Sequence, residues 1–341
     1  NAAGYSVTAH RTAFQPADLP LGIAGTAPAG GQIGPALAGG ATGRAAALVG
    51  EARADAGDDV ERAQADRLRS AIGTAAGKGA DRATLLLRAA RAFESLDSSL
   101  ARETYLEALE ASILAGRLDG GRVVEIAAAA RAMPRGPAAE LSAADLLLEG
   151  LALLVSTGHQ AAVPVLRRAL GALSSASEPR WLALGALGAL ELWDDELAFD
   201  LILRLGQDTR AVGAEFRLDR IGSLDDVIAG RFAVAAPLFQ DAESELSGSV
   251  AGLLAAAWRG RPTEAHELAE TWMREAFARD LGSALAVGRY ALTLVSVGLA
   301  RYEEALATAR EACDDTTIFV TGFVLPELVE AAARSGEREL A

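Results

Sequence analysis

Along most of the chain, apolar residues return at three- and four-residue spacing, the period of a helix with one buried face. From residue 59 onward this pattern predicts helices in pairs joined by short turns. The pairs fall at 60–76 with 81–93, 100–115 with 123–133, 143–156 with 161–173, and 181–192 with 196–205. Three more follow at 224–229 with 233–243, 250–258 with 264–278, and 284–297 with 302–312. A shorter helix over 44–53 precedes them, carried by Ala45, Leu48, Val49 and Ala52. Before it the pattern fails. Pro16, Pro20, Pro28 and Pro35 stand among many glycines in residues 1–45, a density of breakers that prevents long helices.

Gly77, Gly116, Gly158, Gly230, Gly260 and Gly298 mark the turns, and only the turn at Leu192-Trp193 lacks a glycine. Turns recurring at roughly 30 to 42 residues have the spacing of tetratricopeptide-like helical repeats. The predicted fold class is all-α: an α-α superhelix, or solenoid, of such hairpins over 46–341, after an irregular segment or degenerate first hairpin at 1–45. In such an array each hairpin buries its apolar stripe against its neighbours, and stacking leaves a curved groove as the expected functional surface. Ser142 with Asp145, and Ser223 with Asp226, read as capping boxes. Pro262 and Pro326 suit first helical positions. The β-branched and aromatic run at 316–325 is read as an extended loop tucking apolar side chains under the helix that follows.

Composition agrees. The 341 residues are 51% hydrophobic but only 5% aromatic, so the core is built from Ala, Leu and Val at close approach. Net charge is -14, and residues 171–341 hold most of the excess, 28 acidic against 15 basic. That balance opposes docking along a phosphate backbone, so no direct nucleic-acid contact is expected. Cys313 is the only cysteine, which excludes an internal disulfide and a cysteine-built zinc site. No apolar stretch approaches the roughly 18 residues that span a bilayer, and no secretory leader is evident, so a cytoplasmic protein without membrane contact is expected.

Catalytic chemistry finds little support. Gly73 to Gly79 departs from a phosphate loop in its glycine spacing and in having Gly79 after Lys78, and it reads as a helix turn. Asp194 and Asp195 resemble an aspartate-rich metal motif, but Ala198 stands where a third aspartate belongs, and the pair suits a helix amino terminus. His10, His159 and His266 have no metal-spaced partner, so no catalytic or metal-ligating residue is predicted. Binding is better supported. Glu103, Glu107 and Glu110 form an acidic stripe that is either a solvated face or, with Arg102 and Tyr105, the lining of the groove. The four tryptophans read mostly as core, with Trp181 and Trp193 as groove candidates.

Two stretches carry a family resemblance. Leu100-Ala101-Arg102-Glu103-Thr104-Tyr105-Leu106-Glu107-Ala108-Leu109, continuing to Ala115-Gly116-Arg117-Leu118, resembles a recurring phrase in the helical region of large ATP-binding regulators of the LuxR family. Arg301-Tyr302-Glu303-Glu304-Ala305-Leu306, followed by residues 325–336, is similar to a later part of that region. In that family an ATPase precedes the helical region and a DNA-binding helix-turn-helix follows it. Neither is recognisable here. The resemblance implies the sensor or coupling segment of a longer transcription regulator, taking a small-molecule inducer or a protein partner, with ATP and magnesium bound by the parent protein only. Oligomerisation stays open. A stand-alone protein-binding scaffold is the first rival reading, and an all-α metal-dependent lyase using Asp194 and Asp195 is the last.

Overall fold

The computed structural model describes residues 42–75, 81–134, 141–175, 180–211, 246–313 and 318–341. Among these the chain is helical and contains no strand, as the apolar period predicts. The amino-terminal helices are α1 (Thr42–Ala54), α2 (Asp59–Ala75), α3 (Arg82–Phe93) and α4 (Ser98–Ala115), then a 3-10 turn (Gly116–Asp119) and α5 (Arg122–Ala132). Next come α6 (Ala143–Thr157), α7 (His159–Ser175), α8 (Leu182–Glu191) and α9 (Asp195–Ala211). The carboxyl-terminal set is α10 (Leu246–Trp258), α11 (Pro262–Ala278), α12 (Gly282–Gly298), α13 (Tyr302–Ala312) and α14 (Thr321–Ser335). The predicted hairpin at 224–243, its capping box at Ser223, and the Gly/Pro-rich segment before residue 42 lie outside the described residues.

Local chemistry sets many boundaries. Ser142 Oγ accepts from the Asp145 backbone N–H and the Asp145 carboxylate accepts from Ser142 N–H, each at 3.1 Å, the reciprocal capping box. Asp97 accepts from Ser99 and Leu100 at the start of α4, and Pro262 opens α11, where its missing N–H is not needed. Three local expectations change. In the run at 316–325 the described residues, 318–325, do not stay extended, because α14 begins at Thr321. Pro326 is then the sixth residue of α14, not the first, and withholds one helix hydrogen bond there. At the turn after α12 the left-handed residue is Ala300, with φ 57°, while Gly298 ends the helix.

Consecutive helices pack side by side through each run, and α4 also packs on α6, α10 on α12 and α12 on α14. The apolar faces form two clusters. The first, mainly α3 to α9, is leucine-rich and includes Leu86, Leu106, Leu147, Leu151 and Leu166, each 2% exposed or less. Burying each such side chain contributes about 1.5–3 kcal/mol. The second, α10 to α14, relies on fully buried alanines such as Ala265, Ala269, Ala291, Ala305 and Ala309, which let helix backbones approach closely.

The clusters meet at two joints between segments far apart in sequence. At one, the amino terminus of α12 sits on the carboxyl end of α4, and Ser283 Oγ donates to the Leu114 carbonyl at 3.0 Å. At the other, Phe319 packs into the first cluster while Val320 packs into the second, and the Phe319 backbone N–H donates to Glu191 at 2.9 Å.

Candidate functional site

The α4 residues singled out from sequence lie mostly inside the protein. Glu107 is 8% exposed, and its carboxylate takes a two-pronged grip from Arg67 of α2, at 2.8 Å to Nε and 2.7 Å to a terminal nitrogen. Arg180, just before α8, pairs with Glu107 as well and with Glu103 at 2.5 Å, while Arg67 reaches Glu103 at 3.2 Å. The Arg180 guanidinium lies 4.9 Å above the ring of Trp181, itself buried. Burial lowers the Arg67 pKa, and Glu103 pulls it back up. Arg102 is buried and donates to Asp145 of α6, so one carboxylate both caps a helix and holds a neighbouring one. Tyr105 is fully enclosed and donates to Glu94. Five of the six candidates therefore form ion pairs or core contacts that fasten α2, α4, α6 and the start of α8 together.

Trp193 behaves differently. Its side chain is 62% exposed, and its backbone takes φ 57°, filling the left-handed turn position that glycine fills at Gly158 and Gly260. The turn is closed by Trp193 N–H to the Leu190 carbonyl and Asp194 N–H to the Ala189 carbonyl, both 3.0 Å. Asp194 then caps α9 by accepting from the Leu197 N–H at 3.2 Å, the helix-terminal role its sequence position suggested. Phe319 is likewise left-handed, φ 75°. Left-handed backbone is uncommon for bulky residues, and both of these aromatic positions border the same cavity.

That cavity is an apolar groove of about 610 Å³, within the size range of small-molecule sites. One wall comes from α7, α8 and the turn after it: His159, Val163 and Arg167 on one face of α7, with Leu190, Leu192 and Trp193. The other wall comes from residues at and just before α14: Gly322, Phe323, Leu325, Pro326 and Val329, with Phe319, whose side chain packs into the first cluster. Phe323 sits 5.1 Å from the Trp193 ring at a tilt of 50°, and Tyr290 extends the aromatic contact beneath it. His159 Nε2 donates to Glu191 at 2.6 Å, so the Glu191 carboxylate is held from both walls. Sequence spacing pointed to none of the α7 residues. Their partners on α14 lie more than 150 positions away, and only the i, i+4, i+8 series His159, Val163, Arg167 hinted at a shared face.

A second cavity of about 580 Å³ lies on the other side of Pro326, beside Trp258, Leu299, Glu327 and Glu330. No group of three or more His, Cys, Asp or Glu among the described residues is placed to hold a metal ion, and none of the described helices is long and apolar enough to cross a membrane. Compared with known protein families, with curated proteins and with solved structures, the chain matches none. The family resemblance rests on its two phrases alone.

Buried carboxyls give the fold a pH dependence. Burial raises the Asp119 carboxyl despite hydrogen bonds from Ser112, Arg122 and the Val123 backbone, and burial raises Glu327. The folded chain keeps protons at these sites that the unfolded chain has released, so stability falls as pH rises through the raised values. Asp145 runs the opposite way. Burial would lift it, but Arg102 and Ser142 outweigh that and hold it low, and its contribution is lost only as pH falls below the ordinary aspartate range. Self-repulsion of the net acidic chain adds to the loss at higher pH. The melting temperature is therefore expected to fall as pH rises from the ordinary carboxyl range of about 4 through the raised values. Circular-dichroism melts across that interval check this, and a midpoint that climbs with pH contradicts it.

Proposed function

We propose that this chain is the sensor and coupling arm of a LuxR-type, ATP-dependent transcriptional regulator. In this reading it is a superhelix of tetratricopeptide-like hairpins that holds an inducer or a protein partner in the groove at Trp193. It passes the result to ATPase and helix-turn-helix modules elsewhere in the parent protein. The two phrases at 100–118 and 301–336 support the family, and the net charge of -14 suits an arm that leaves DNA contact to another module.

The groove lying between α7 and α8, which pack into the first cluster, and α14, which packs into the second, supports the coupling role most directly. An occupant touching both walls binds one arrangement of the clusters better than another, and that difference in affinity is what lets binding shift a conformational equilibrium. A thermal-shift screen with sugars, nucleotides, organic acids and other metabolites tests this. A ligand at 100 times its dissociation constant is expected to add about 2.7 kcal/mol. Trp193→Ala, which removes the exposed ring while leaving the buried core intact, is expected to abolish the shift. A shift that survives Trp193→Ala removes the groove from the reading. A gene that encodes this helical region with neither an ATPase nor a helix-turn-helix overturns the regulator assignment.

A further inference from the structure

The chemistry of the groove wall narrows its ligand. His159, Val163 and Arg167 follow one another at four-residue steps and place one guanidinium along an otherwise apolar cavity. Three of the lining residues are ionisable: His159, Glu191 and Arg167. The first two are committed to each other at 2.6 Å, and Glu191 also accepts the Phe319 N–H, which uses both of its oxygens. Arg167 makes no hydrogen bond or ion pair with any described residue, and its side chain is exposed.

We propose that the groove ligand is an apolar carboxylic acid. Its hydrocarbon or aryl body lies against Trp193, Phe323 and Val329, and its carboxylate pairs with the Arg167 guanidinium. This inference rests on the groove being the ligand site and adds the class of molecule. The fork of an arginine matches a carboxylate in two-pronged geometry, and at the edge of an apolar cavity such a charge-assisted bond is stronger than its equivalent in open water. An amine of the same shape meets like charge at Arg167, and a neutral amide loses the charge assistance.

The test compares three molecules with the same body: phenylbutyrate, phenylbutyramide and phenylbutylamine. Trp181 and Trp272 are buried and Trp258 faces the second cavity, so Trp258→Phe leaves Trp193 as the solvent-exposed indole whose emission reports the groove. Binding is expected to move that emission to the blue. Titration calorimetry on the unmodified chain supplies the affinities. Phenylbutyrate is expected to bind at least about tenfold more tightly than the amide or the amine. Arg167→Gln, an exposed position, is expected to bring acid and amide to the same affinity, while Arg167→Lys retains part of the preference. Equal binding of acid and amide, unchanged by Arg167→Gln, overturns the acid assignment and leaves the groove as a ligand site. If no molecule of the three binds, the acid assignment fails, and the metabolite screen decides the groove separately. If the acid binds with its preference intact in Arg167→Gln, the carboxylate sits elsewhere and the inference fails.

Discussion

Replacing Gly282 by alanine is expected to destabilise the protein by about 3 kcal/mol, the upper end of what overpacking usually costs. A Cβ at position 282 would land on the Ala115 carbonyl oxygen, with the Ala115 carbonyl carbon at 2.9 Å and the Arg117 nitrogen at 3.2 Å. These are backbone atoms at the end of α4 and in the 3-10 turn after it, so no side-chain rotation can relieve the clash. Gly116 faces it in the same way, since a Cβ there would meet the Ser283 nitrogen at 3.1 Å. The effect is therefore expected at the joint between the two clusters. Trp181 is buried in the first and Trp272 in the second, so urea unfolding followed in variants that keep only one of these two as the sole tryptophan reports each cluster separately. In Gly282→Ala the two midpoints are expected to separate, with the α10 to α14 cluster losing stability first. Gly298→Ala supplies the control: nothing lies within 4 Å of its added Cβ, and replacing a helical glycine there is expected to add up to about 1 kcal/mol. A Gly282→Ala protein that unfolds like the parent would remove this joint from the fold.

Arg67→Met is expected to cost about 3–5 kcal/mol, because it leaves the Glu107 carboxylate buried with part of its compensation gone. Arg180 still reaches Glu107, which places the expected loss nearer the lower figure. The informative comparison is the double variant Arg67→Met, Glu107→Leu. Removing both charges and filling the space with apolar atoms restores most of the stability, since a buried pair contributes far less than breaking it costs. Chemical denaturation of the two single variants and the double variant closes the cycle. A single variant within about 1 kcal/mol of the parent would mean that this network is solvated, contrary to the 7% exposure of the Arg67 side chain.

The helices were legible because their signal is local. A 3.6-residue period, a capping box at Ser142 and Asp145, and a proline at position 262 all act within one or two turns of chain. The boundaries of α3, α4, α7 and α13 accordingly fall within a few residues of the predicted ones. Where local rules compete, reading failed. The run at 316–325 has strand-like composition, yet burial of Val324 and Leu328 against the second cluster favours helix from Thr321. Left-handed turn positions went to Trp193, Asp280 and Ala300, where the flanking helices dictate the conformation and a side chain tolerates it. The acidic stripe at Glu103 and Glu107 was ambiguous for another reason. Helical spacing places both on one side of α4, but it cannot say whether water or two arginines lie opposite.

Paired helices throughout the described residues, with alanine-rich packing, and an acidic carboxyl-terminal half of the sequence were readable from the order of residues alone. Periodicity, caps and net charge need no knowledge of distant partners. The position of the groove was decided only in three dimensions. Its walls, the joint where Ser283 meets Leu114 across 169 residues, and the pairing of Arg67 and Arg180 with one glutamate all depend on which helix faces which. Those choices follow from the summed burial of many small side chains, a property of the whole packed assembly that no short stretch of sequence carries.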